Sequence, residues 1–302
     1  MDHVDPGALA AHLARMPGPR WRPDDAANIA TTLDYLRGAL TDAGWEVREQ
    51  PVVDVLAGTG VNLLGRRHGT GSRELVAVIA HHDTVAASPG ADDNGSGLAA
   101  IVEIARALGR GPIECDIELA LVDFEERTTS GSASFAGSRA YVASLSPDVH
   151  LRGAFVFDLI GFTDRTPGSQ RFPEAILGVA PGIASALAAR DGRGDTIVAI
   201  ADATARGGPL LDAVLQASRE VPGAPVVPLA VPPALAIGDF LRSDHTSFWE
   251  AGLPALFLTD TGNFRSPHYH RPSDTAETLD PEFWAAVVDL SIAAIQRVVR
   301  GP

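Results

Sequence analysis

Short apolar runs alternate with helix-like patterns along most of this chain. The run from Glu74 to Ala80 is continuously apolar, as expected for a strand that is covered on both faces. Further runs predict strands at Trp45–Val53, Val61–Arg66, Ile113–Phe124, Ala154–Phe157, Thr196–Ile200, Val226–Val231 and Ala255–Leu258, the first two forming an edge pair. Helical periodicity lies at Asp5–Met16, Asp24–Ala43, Ser96–Leu108, Pro209–Arg219, His245–Ala251 and Pro281–Val299. This alternation predicts an α/β fold, a three-layer α/β/α sandwich with a mixed, mostly parallel central sheet.

The chain reads as a single domain over residues 1–302. The stretch from Pro222 to Pro233 is the one linker-like region, but it is too apolar for a flexible linker and predicts a strand with bends. A chain of 302 residues buries enough surface to need no structural metal or disulfide. Any metal that it binds is therefore available for chemistry.

Charge and residue usage exclude several classes of function. The net charge of −14 argues against nucleic acid and anionic membranes as partners. Every basic residue is Arg, so Schiff-base and P-loop lysine chemistry is absent. Cys115 is the single cysteine, which excludes thiolate metal sites and intrachain disulfides. No apolar run approaches the length of a membrane span, and Met1–Arg22 lacks a signal-peptide core, so we expect a cytoplasmic protein unless a leader has been removed.

Residue types that bind metals follow four of the predicted strands. In open α/β sheets, ligands bind beyond the carboxyl ends of the strands. The segments concerned are His81-His82-Asp83, Glu125-Glu126, Asp158 and His268-Tyr269-His270, and a fifth, PGADDNGSG at 89–97, precedes a helix. Taken singly, each segment has an ordinary alternative explanation, such as an exposed strand end, an acidic helix start or a surface loop.

The spacing within these segments suggests separate tasks for neighbouring side chains. Because side chains alternate along a strand, His81 and Asp83 point the same way and His82 points away, so His81 is the better ligand. Asp83 could support that histidine or position nearby backbone. Alternation also turns Glu125 and Glu126 apart, which allows one to bind metal and the other to carry a proton. Together, histidines and carboxylates without cysteine are the ligands expected for a paired Zn²⁺ site.

As an ordered set, these motifs resemble the co-catalytic di-zinc aminopeptidases of the zinc-exopeptidase superfamily, which also contains the glutaminyl cyclases. The resemblance covers about Ala80 to Leu279 and rests on AHHDT (80–84), PGADDNGSG (89–97), FEE (124–126), GSRAY (137–141), FDLIGF (157–162), RSDHTSFWEAGLPALFLTDT (242–261) and SPHYHRPSDT (266–275). It implies two Zn²⁺ ions bridged by Asp93. One ion would be completed by His81 and Asp158, and the other by Glu126 and His270.

The resemblance also implies the remaining roles at the site. Glu125 would be the general acid/base, and Asp83 would be the partner of His81. The peptide bond between Asp93 and Asn94 would be cis. One departure from relatives is the polar segment Arg127–Phe135, which lies beside the site and affects the expected substrate access.

The implied activity is removal of N-terminal residues from peptides or aminoacyl small molecules, with apolar residues near Phe248 forming a side-chain pocket. Three alternatives remain: a glutaminyl cyclase-like acyltransferase, which needs one zinc; a carboxypeptidase or amidohydrolase; and a non-catalytic binding module. A forked arginine normally captures a terminal carboxylate, and three arginines flank the motifs: Arg242, Arg265 and Arg271. A serine hydrolase and a thermolysin-like protease are disfavoured, because neither G-x-S-x-G nor H-E-x-x-H occurs. The sequence does not indicate the oligomeric state.

Overall fold

A computed structural model describes residues 3–22, 24–54, 58–70, 73–126, 135–179, 181–204, 206–232 and 238–301. The strands in these ranges are β1 (Glu46–Asp54), β2 (Gly58–Arg67), β3 (Glu74–His81), β4 (Asp116–Val122), β5 (His150–Phe157), β6 (Ile197–Asp202), β7 (Val226–Val231) and β8 (Ala255–Thr259). The α-helices are α1 (Pro6–Leu13), α2 (Ala26–Asp42), α3 (Gly97–Leu108), α4 (Ala136–Ser144), α5 (Glu174–Val179), α6 (Pro181–Ala188), α7 (Gly208–Ala217), α8 (His245–Glu250) and α9 (Pro281–Arg300). None of these helices combines the length and hydropathy needed to cross a bilayer.

The strands form one sheet in the order β1-β2-β4-β3-β5-β8-β6-β7. The central strands β4, β3, β5 and β8 run parallel to one another, as do β6 and β7. The pairs β1–β2, β2–β4 and β6–β8 are antiparallel. The predicted mixed, mostly parallel sheet is therefore confirmed, with the β1–β2 pair at one edge.

Helices cover both faces of this sheet, because side chains in the central strands alternate between two apolar clusters. Val76, Val78 and Ala80 of β3 lie in the cluster that contains residues of α1, α2, α3, α7 and α9. Leu75 and the next two alternate positions lie in the cluster that contains residues of α4, α5, α6 and α8. The predicted three-layer α/β/α sandwich is confirmed.

The end of β4 differs from the sequence prediction. The predicted strand reached Phe124, whereas the pairing stops at Val122. The backbone N–H of Asp123 donates to the side-chain oxygen of Asn62 at 3.0 Å, and Phe124 adopts a left-handed φ of 57°. The chain therefore leaves the sheet before Glu125.

Three helices, α4, α5 and α6, were not predicted, and one strand contains a proline. These helices have 9, 6 and 8 residues, and helices this short carry only a weak helical period in the sequence. Strand β7 contains Pro228, which a sheet tolerates at its edge, and β7 is the last strand of the order. The bent strand predicted in this region is confirmed.

The sheet order places a crevice at the carboxyl end of β3. Strand β3 lies between β4 and β5, so the connection through α3 leads to one side of β3 and the chain then crosses to the other side. Such a reversal of strand order opens a crevice beyond the strand ends, where ligands bind in α/β proteins.

Candidate metal centre

Five of the predicted site residues meet in this crevice. His81 is the last residue of β3, and Asp158 follows β5 directly. Glu126 lies beyond β4, Asp93 lies in an irregular turn before α3, and His270 lies in the loop after β8. All are buried except His270, whose side chain is 34% exposed. The fold thus brings together segments that are far apart in the sequence.

These five side chains form two groups that share Asp93. In the first group, His81 Nε2 lies 3.4 Å from Asp93 Oδ1 and 3.3 Å from Asp158 Oδ1. In the second, His270 Nε2 lies 3.1 Å from Asp93 Oδ2 and 3.2 Å from Glu126 Oε1. The two oxygens of Asp93 therefore face different groups, which is the arrangement of a bridging carboxylate.

The donor atoms fit metal ions of zinc size. Zinc forms bonds of about 2.0–2.1 Å to nitrogen and oxygen in tetrahedral sites, which separates neighbouring ligand atoms by about 3.3 Å. The separations in both groups are close to that value. The Nδ1 atom of His81 donates to the carbonyl oxygen of Asp83 at 3.1 Å, so in the neutral ring Nε2 presents its lone pair to two carboxylates. A cation between these atoms would remove that repulsion.

The electrostatics of the centre also favour bound positive charge. Burial acts to lower the pKa of His270, but hydrogen bonds to Asp93 and Glu126 raise it to about 10. Burial opposes protonation of His81 in the same way, yet Glu125 and Asp158 raise its pKa well above the ordinary value. Burial raises the pKa of Glu126 to about 7, and Asp93 adds to that shift. A divalent cation in each group would occupy the position that these protons take.

Asp83 supports the centre through the backbone of the paired glutamates. Its carboxylate accepts from the N–H of Glu125 at 3.2 Å and from the N–H of Glu126 at 3.0 Å. The same carboxylate lies 3.6 Å from Nδ1 of His81, beyond hydrogen-bond distance, so the backbone carbonyl of Asp83 orients that ring. The sequence left two roles open for Asp83: support of His81 or positioning of nearby backbone. The hydrogen bonds from the N–H groups of Glu125 and Glu126 support the second role.

Asp274 makes the equivalent contacts to the bridging residue. Its carboxylate accepts from the N–H of Asp92 at 2.9 Å and from the N–H of Asp93 at 3.2 Å. No role for Asp274 followed from the sequence, although the residue lies within the SPHYHRPSDT motif. Its signal in the sequence was only this proximity to His270.

The turn that carries Asp93 depends on close packing of its backbone. Gly90 has a φ of +68°, and a Cβ atom there would lie 2.5 Å from the carbonyl oxygen of Asp93. The Asp93–Asn94 peptide bond is cis, as the resemblance implied. The side chain of Asn94 then donates to the carbonyl oxygen of Phe157 at 2.7 Å, which joins the turn to β5.

A buried arginine joins this turn to the end of β3. Arg20 has no exposed surface, and its guanidinium donates to the carbonyl oxygens of His82 at 2.8 Å, Pro89 at 3.2 Å and Gly90 at 3.0 Å. Burial lowers its pKa to about 10, so the side chain stays charged at neutral pH. A lone arginine in this position gave no signal in the sequence.

A cavity of about 480 Å³ opens onto both groups. Its walls include Val85, Asp93, Glu125, Glu126, Phe135, Asp158, Gly238, Arg242, Tyr269 and His270. Glu125 is 7% exposed and belongs to neither group. Burial raises the pKa of Glu125 well above its ordinary value, and Glu126 and Asp158 raise it further against the opposing charge of His81. A protonatable carboxyl group beside the candidate metal ligands is what proton transfer requires.

Glu125 and Glu126 both face this cavity, so alternation along a strand does not separate them. Both were expected directly after a strand that ends at Phe124, but the pairing of β4 stops at Val122 and Phe124 is left-handed. Their different surroundings come from the loop geometry. Glu126 contacts His270, whereas Glu125 does not contact either histidine closely enough to join a group.

A smaller apolar pocket of about 70 Å³ adjoins the cavity. It shares Asp158, Arg242 and Tyr269 with the cavity, and its apolar walls are Leu159, Phe172, Ile176, Ile200, Leu229, Phe240, Phe257 and Phe264. The expectation that Phe248 forms such a pocket is wrong. Phe248 is fully buried in the core, where its ring lies 6.1 Å from that of Tyr141. Most of the segment expected to shape substrate access, residues 127–134, lies outside the described residues; Phe135, at its end, lines the cavity.

The structure separates the three arginines that flank the motifs. Arg265 is buried and donates to Gln170 and to the carbonyl oxygens of Phe162 and Thr196. Arg271 is exposed and lines neither space. Arg242 lines both.

Comparisons with known proteins identify the family of this chain. A model of peptidase family M28 matches residues 62–192 and 195–295. The protein YfbL of Escherichia coli is 29% identical over 298 residues, covering 95% of this chain and 86% of YfbL. The aminopeptidase YwaD of Bacillus subtilis is 27% identical over 238 residues, covering 75% of this chain and 42% of YwaD.

Solved structures show the same fold. A Zn-dependent exopeptidase from Parabacteroides distasonis superimposes with a TM-score of 0.68 at 18% identity, covering 98% of this chain and 99% of that one. A glutaminyl cyclase from Porphyromonas gingivalis superimposes with a TM-score of 0.70 at 19% identity, with the same coverage of both chains. The fold is therefore shared by hydrolases and by cyclases.

Proposed function

Because this chain belongs to peptidase family M28 of the zinc-exopeptidase superfamily, we propose that it is a zinc-dependent aminopeptidase that removes N-terminal residues from peptides or aminoacyl small molecules. Family membership makes it a metallopeptidase of the hydrolase class. The position of the cleaved bond, the number of ions and the residue roles are our proposal. The observation that carries it is the pair of ligand groups joined by Asp93 beside a carboxyl group that belongs to neither.

We assign one zinc ion to each ligand group. His81, Asp93 and Asp158 would hold the first, and Asp93, Glu126 and His270 the second. When bound, zinc ions polarise a carbonyl group and lower the pKa of water, which is the chemistry that peptide hydrolysis needs. The carboxylates of Asp83 and Asp274 accept from the backbone N–H groups of the ligands Glu126 and Asp93, respectively, and so hold these two ligands in place.

Glu125 is the proposed general acid and base. Its carboxyl group lines the cavity next to the ligand groups, so it can accept a proton from the attacking water. It can then deliver that proton to the leaving nitrogen. Burial raises its pKa above that of an ordinary carboxyl group, which makes it able to hold that proton and deliver it to the leaving nitrogen.

Two features support cleavage at the amino terminus. The apolar pocket meets the cavity beside Asp158, so an apolar side chain of the first residue would fit there while its peptide bond lies in the cavity. A free α-amino group at this point would be cationic, and the carboxylate of Glu125, which is not a candidate zinc ligand, favours a cation over a neutral blocked terminus.

A substrate panel tests this proposal. Purified protein loaded with zinc should hydrolyse leucine amide and lose the activity when a chelator is added. N-acetyl-leucine amide should be cleaved far more slowly, because it lacks the cationic amino group. Equal rates on the free and acetylated amides would refute the aminopeptidase assignment and favour an amidohydrolase.

Zinc titration distinguishes the aminopeptidase proposal from the glutaminyl cyclase alternative, which needs one zinc ion. We expect two zinc ions per chain, since both ligand groups contain a histidine and two carboxylates. A single tight site, together with cyclisation of peptides that begin with glutamine, would move the assignment to the cyclases.

A further inference from the structure

We propose that Arg242 binds a carboxylate of the substrate, so that the preferred substrates are short peptides with a carboxylate close to the scissile bond. This proposal rests on the proposed aminopeptidase function and specifies its substrate class. It follows from the position of the guanidinium, its unused donors and the charge of its surroundings.

Arg242 lies where the two spaces of the site meet. It lines both the cavity at the ligand groups and the apolar pocket beside it. Its Nη2 donates to the hydroxyl of Tyr269 at 3.0 Å, and the ring of Tyr269 stacks on that of His270 at 3.8 Å. One aromatic side chain therefore separates the guanidinium from a candidate metal ligand.

The guanidinium is oriented but keeps donors for a ligand. Its Nη1 donates to Asn263 at 2.9 Å and to Asp239 at 3.2 Å, which with Tyr269 accounts for three of the five N–H groups that a guanidinium has. Within the described part of the chain, no acceptor contacts its Nε–H or the second N–H of Nη2. A fixed guanidinium with two free donors is suited to binding a carboxylate.

Arg242 supplies a positive charge at the site of a strongly negative protein. Bound zinc would offset the charge of the three wall carboxylates that are candidate ligands, but the chain as a whole has a net charge of −14, which disfavours an anionic substrate unless a local cation binds it. Among the described residues of that wall, Arg242 is the one with a permanent positive charge. Its ion-pair partner Asp239 has a side chain that is 39% exposed, and such pairs are weak.

The carboxylate could come from two parts of a short peptide. In a dipeptide, the free C-terminal carboxylate lies one residue beyond the scissile bond, and one extended residue spans about 3.3–3.6 Å. In a longer peptide, an acidic first side chain could reach the rim of the apolar pocket. Both sources present the same group to Arg242, and substrates distinguish them.

Two matched substrate pairs test the proposal. The dipeptide Leu-Ala and its C-terminal amide differ only in the terminal carboxylate, whereas the amides of Glu-Ala and Gln-Ala differ only in the first side chain. We expect kcat/KM to favour the carboxylate form in one pair by roughly 10- to 100-fold, as one charge-assisted contact allows. Arg242→Gln should abolish that preference mainly through KM, and zinc content should stay the same.

Two further variants serve as controls. Arg242→Lys keeps the charge without the fork, so it should retain part of the preference. Arg271→Gln removes a nearby exposed arginine that lines neither space, and it should leave the preference unchanged.

Three outcomes would overturn the proposal: no preference for either carboxylate form, equal loss on both members of a pair in Arg242→Gln, or loss of the preference in Arg271→Gln. Equal loss would mean that Arg242 acts only through Tyr269. If the wild-type protein cleaves none of the four peptides or leucine amide, the aminopeptidase function fails and takes this proposal with it. Cleavage without a preference refutes this proposal alone.

Discussion

At the scale of single residues, the adjacent carboxyl groups of Glu125 and Glu126 have different surroundings. Glu126 contacts His270 within a ligand group, whereas Glu125 lines the cavity outside both groups. We predict that Glu125→Gln keeps both zinc ions while kcat falls by about 10²–10⁴-fold or more, with little change in KM. Glu126→Ala should instead lower zinc affinity, and excess zinc should partly restore activity. Metal content and kcat measured on the same preparations check both expectations.

The reverse pattern would contradict these roles. If Glu125→Gln loses zinc while Glu126→Ala keeps it, the two assignments must be exchanged. Near-full activity in Glu125→Gln would mean that this carboxyl group does not carry the proton.

Substitution of the two aspartates that accept from backbone N–H groups should weaken different numbers of zinc sites. Asp274 holds Asp93, which belongs to both ligand groups, whereas Asp83 holds Glu126, which belongs to one. An asparagine at either position replaces one acceptor with a donor that faces an N–H. We therefore expect Asp274→Asn to weaken both zinc sites and Asp83→Asn to weaken one, by roughly 10–100-fold. Zinc titration in competition with a chelator measures the two affinities, and equal effects on both sites in Asp83→Asn would contradict the expectation.

At the scale of elements, the turn Ala91–Ser96 leaves no room for a side chain at Gly90, the residue before it. Gly90→Ala would place a Cβ 2.5 Å from the carbonyl oxygen of Asp93 at a φ of +68°. Gly111 is a matched control, because its φ is +77° and a Cβ there meets nothing within 4 Å. Gly111→Ala should cost about 1–2 kcal/mol of unfolding free energy and leave zinc affinity unchanged. Gly90→Ala should cost more and also lower zinc affinity, which denaturation and zinc titration together would show.

Equal stability losses in the two alanine variants, with zinc binding intact in both, would contradict this view of the turn. The close approach of Gly90 to Asp93 would then have no effect on the ligand.

The predictable elements were those whose residues carry a strong local pattern. The run Glu74–Ala80 is apolar at every interior position, so its strand and the position of His81 at its end followed from the sequence. Helix α9 carries an N-terminal Asp280-Pro281 pair and a long apolar face, and its predicted bounds differ from the structure by one residue. Local signals of this kind located most of the fold.

The unpredicted features depend on contacts between distant segments. Asp274 acts on the backbone of Asp93, which is far away in the sequence, and neither residue's local pattern records that contact. The orientation of Glu125 and Glu126 depends on the early end of β4, which is set by a hydrogen bond from Asp123 to Asn62 of another strand. The five ligand candidates came from the family resemblance, since their local patterns left alternatives open.

For the whole molecule, the buried charges predict opposite effects of pH with and without zinc. The folded-state pKa of Glu126 is raised from 4.5 to about 7 and that of His270 from 6.5 to about 10. A raised folded-state pKa contributes stability below the ordinary value, and that stability is lost as pH rises through the folded value. Between about pH 5.5 and about pH 8.5, the metal-free protein should therefore become less stable with rising pH.

Zinc should reverse this trend. The ligands must lose their protons to bind metal, so zinc binds more tightly as pH rises, and it stabilises the folded state accordingly. The difference in Tm between zinc-loaded and chelator-treated protein should therefore grow from the lower to the higher pH. A Tm difference that shrinks over this interval would contradict the assignment of these groups as ligands.

The hydrogen bonds of Arg20 limit where the chain can be cut without disturbing the site. The family match begins at residue 62, but Arg20 lies before it and donates to three carbonyl oxygens next to the candidate ligands. A cut at residue 62 would remove the Arg20 donor from all three oxygens, of which that of Gly90 also accepts from the N–H of Gly95, and it would pass through β2 and remove its partner β1. The segment that matches the family model is therefore shorter than the segment that positions these ligands. Any recombination that transfers this site to another protein has to carry the residues before 62 together with the metal ligands.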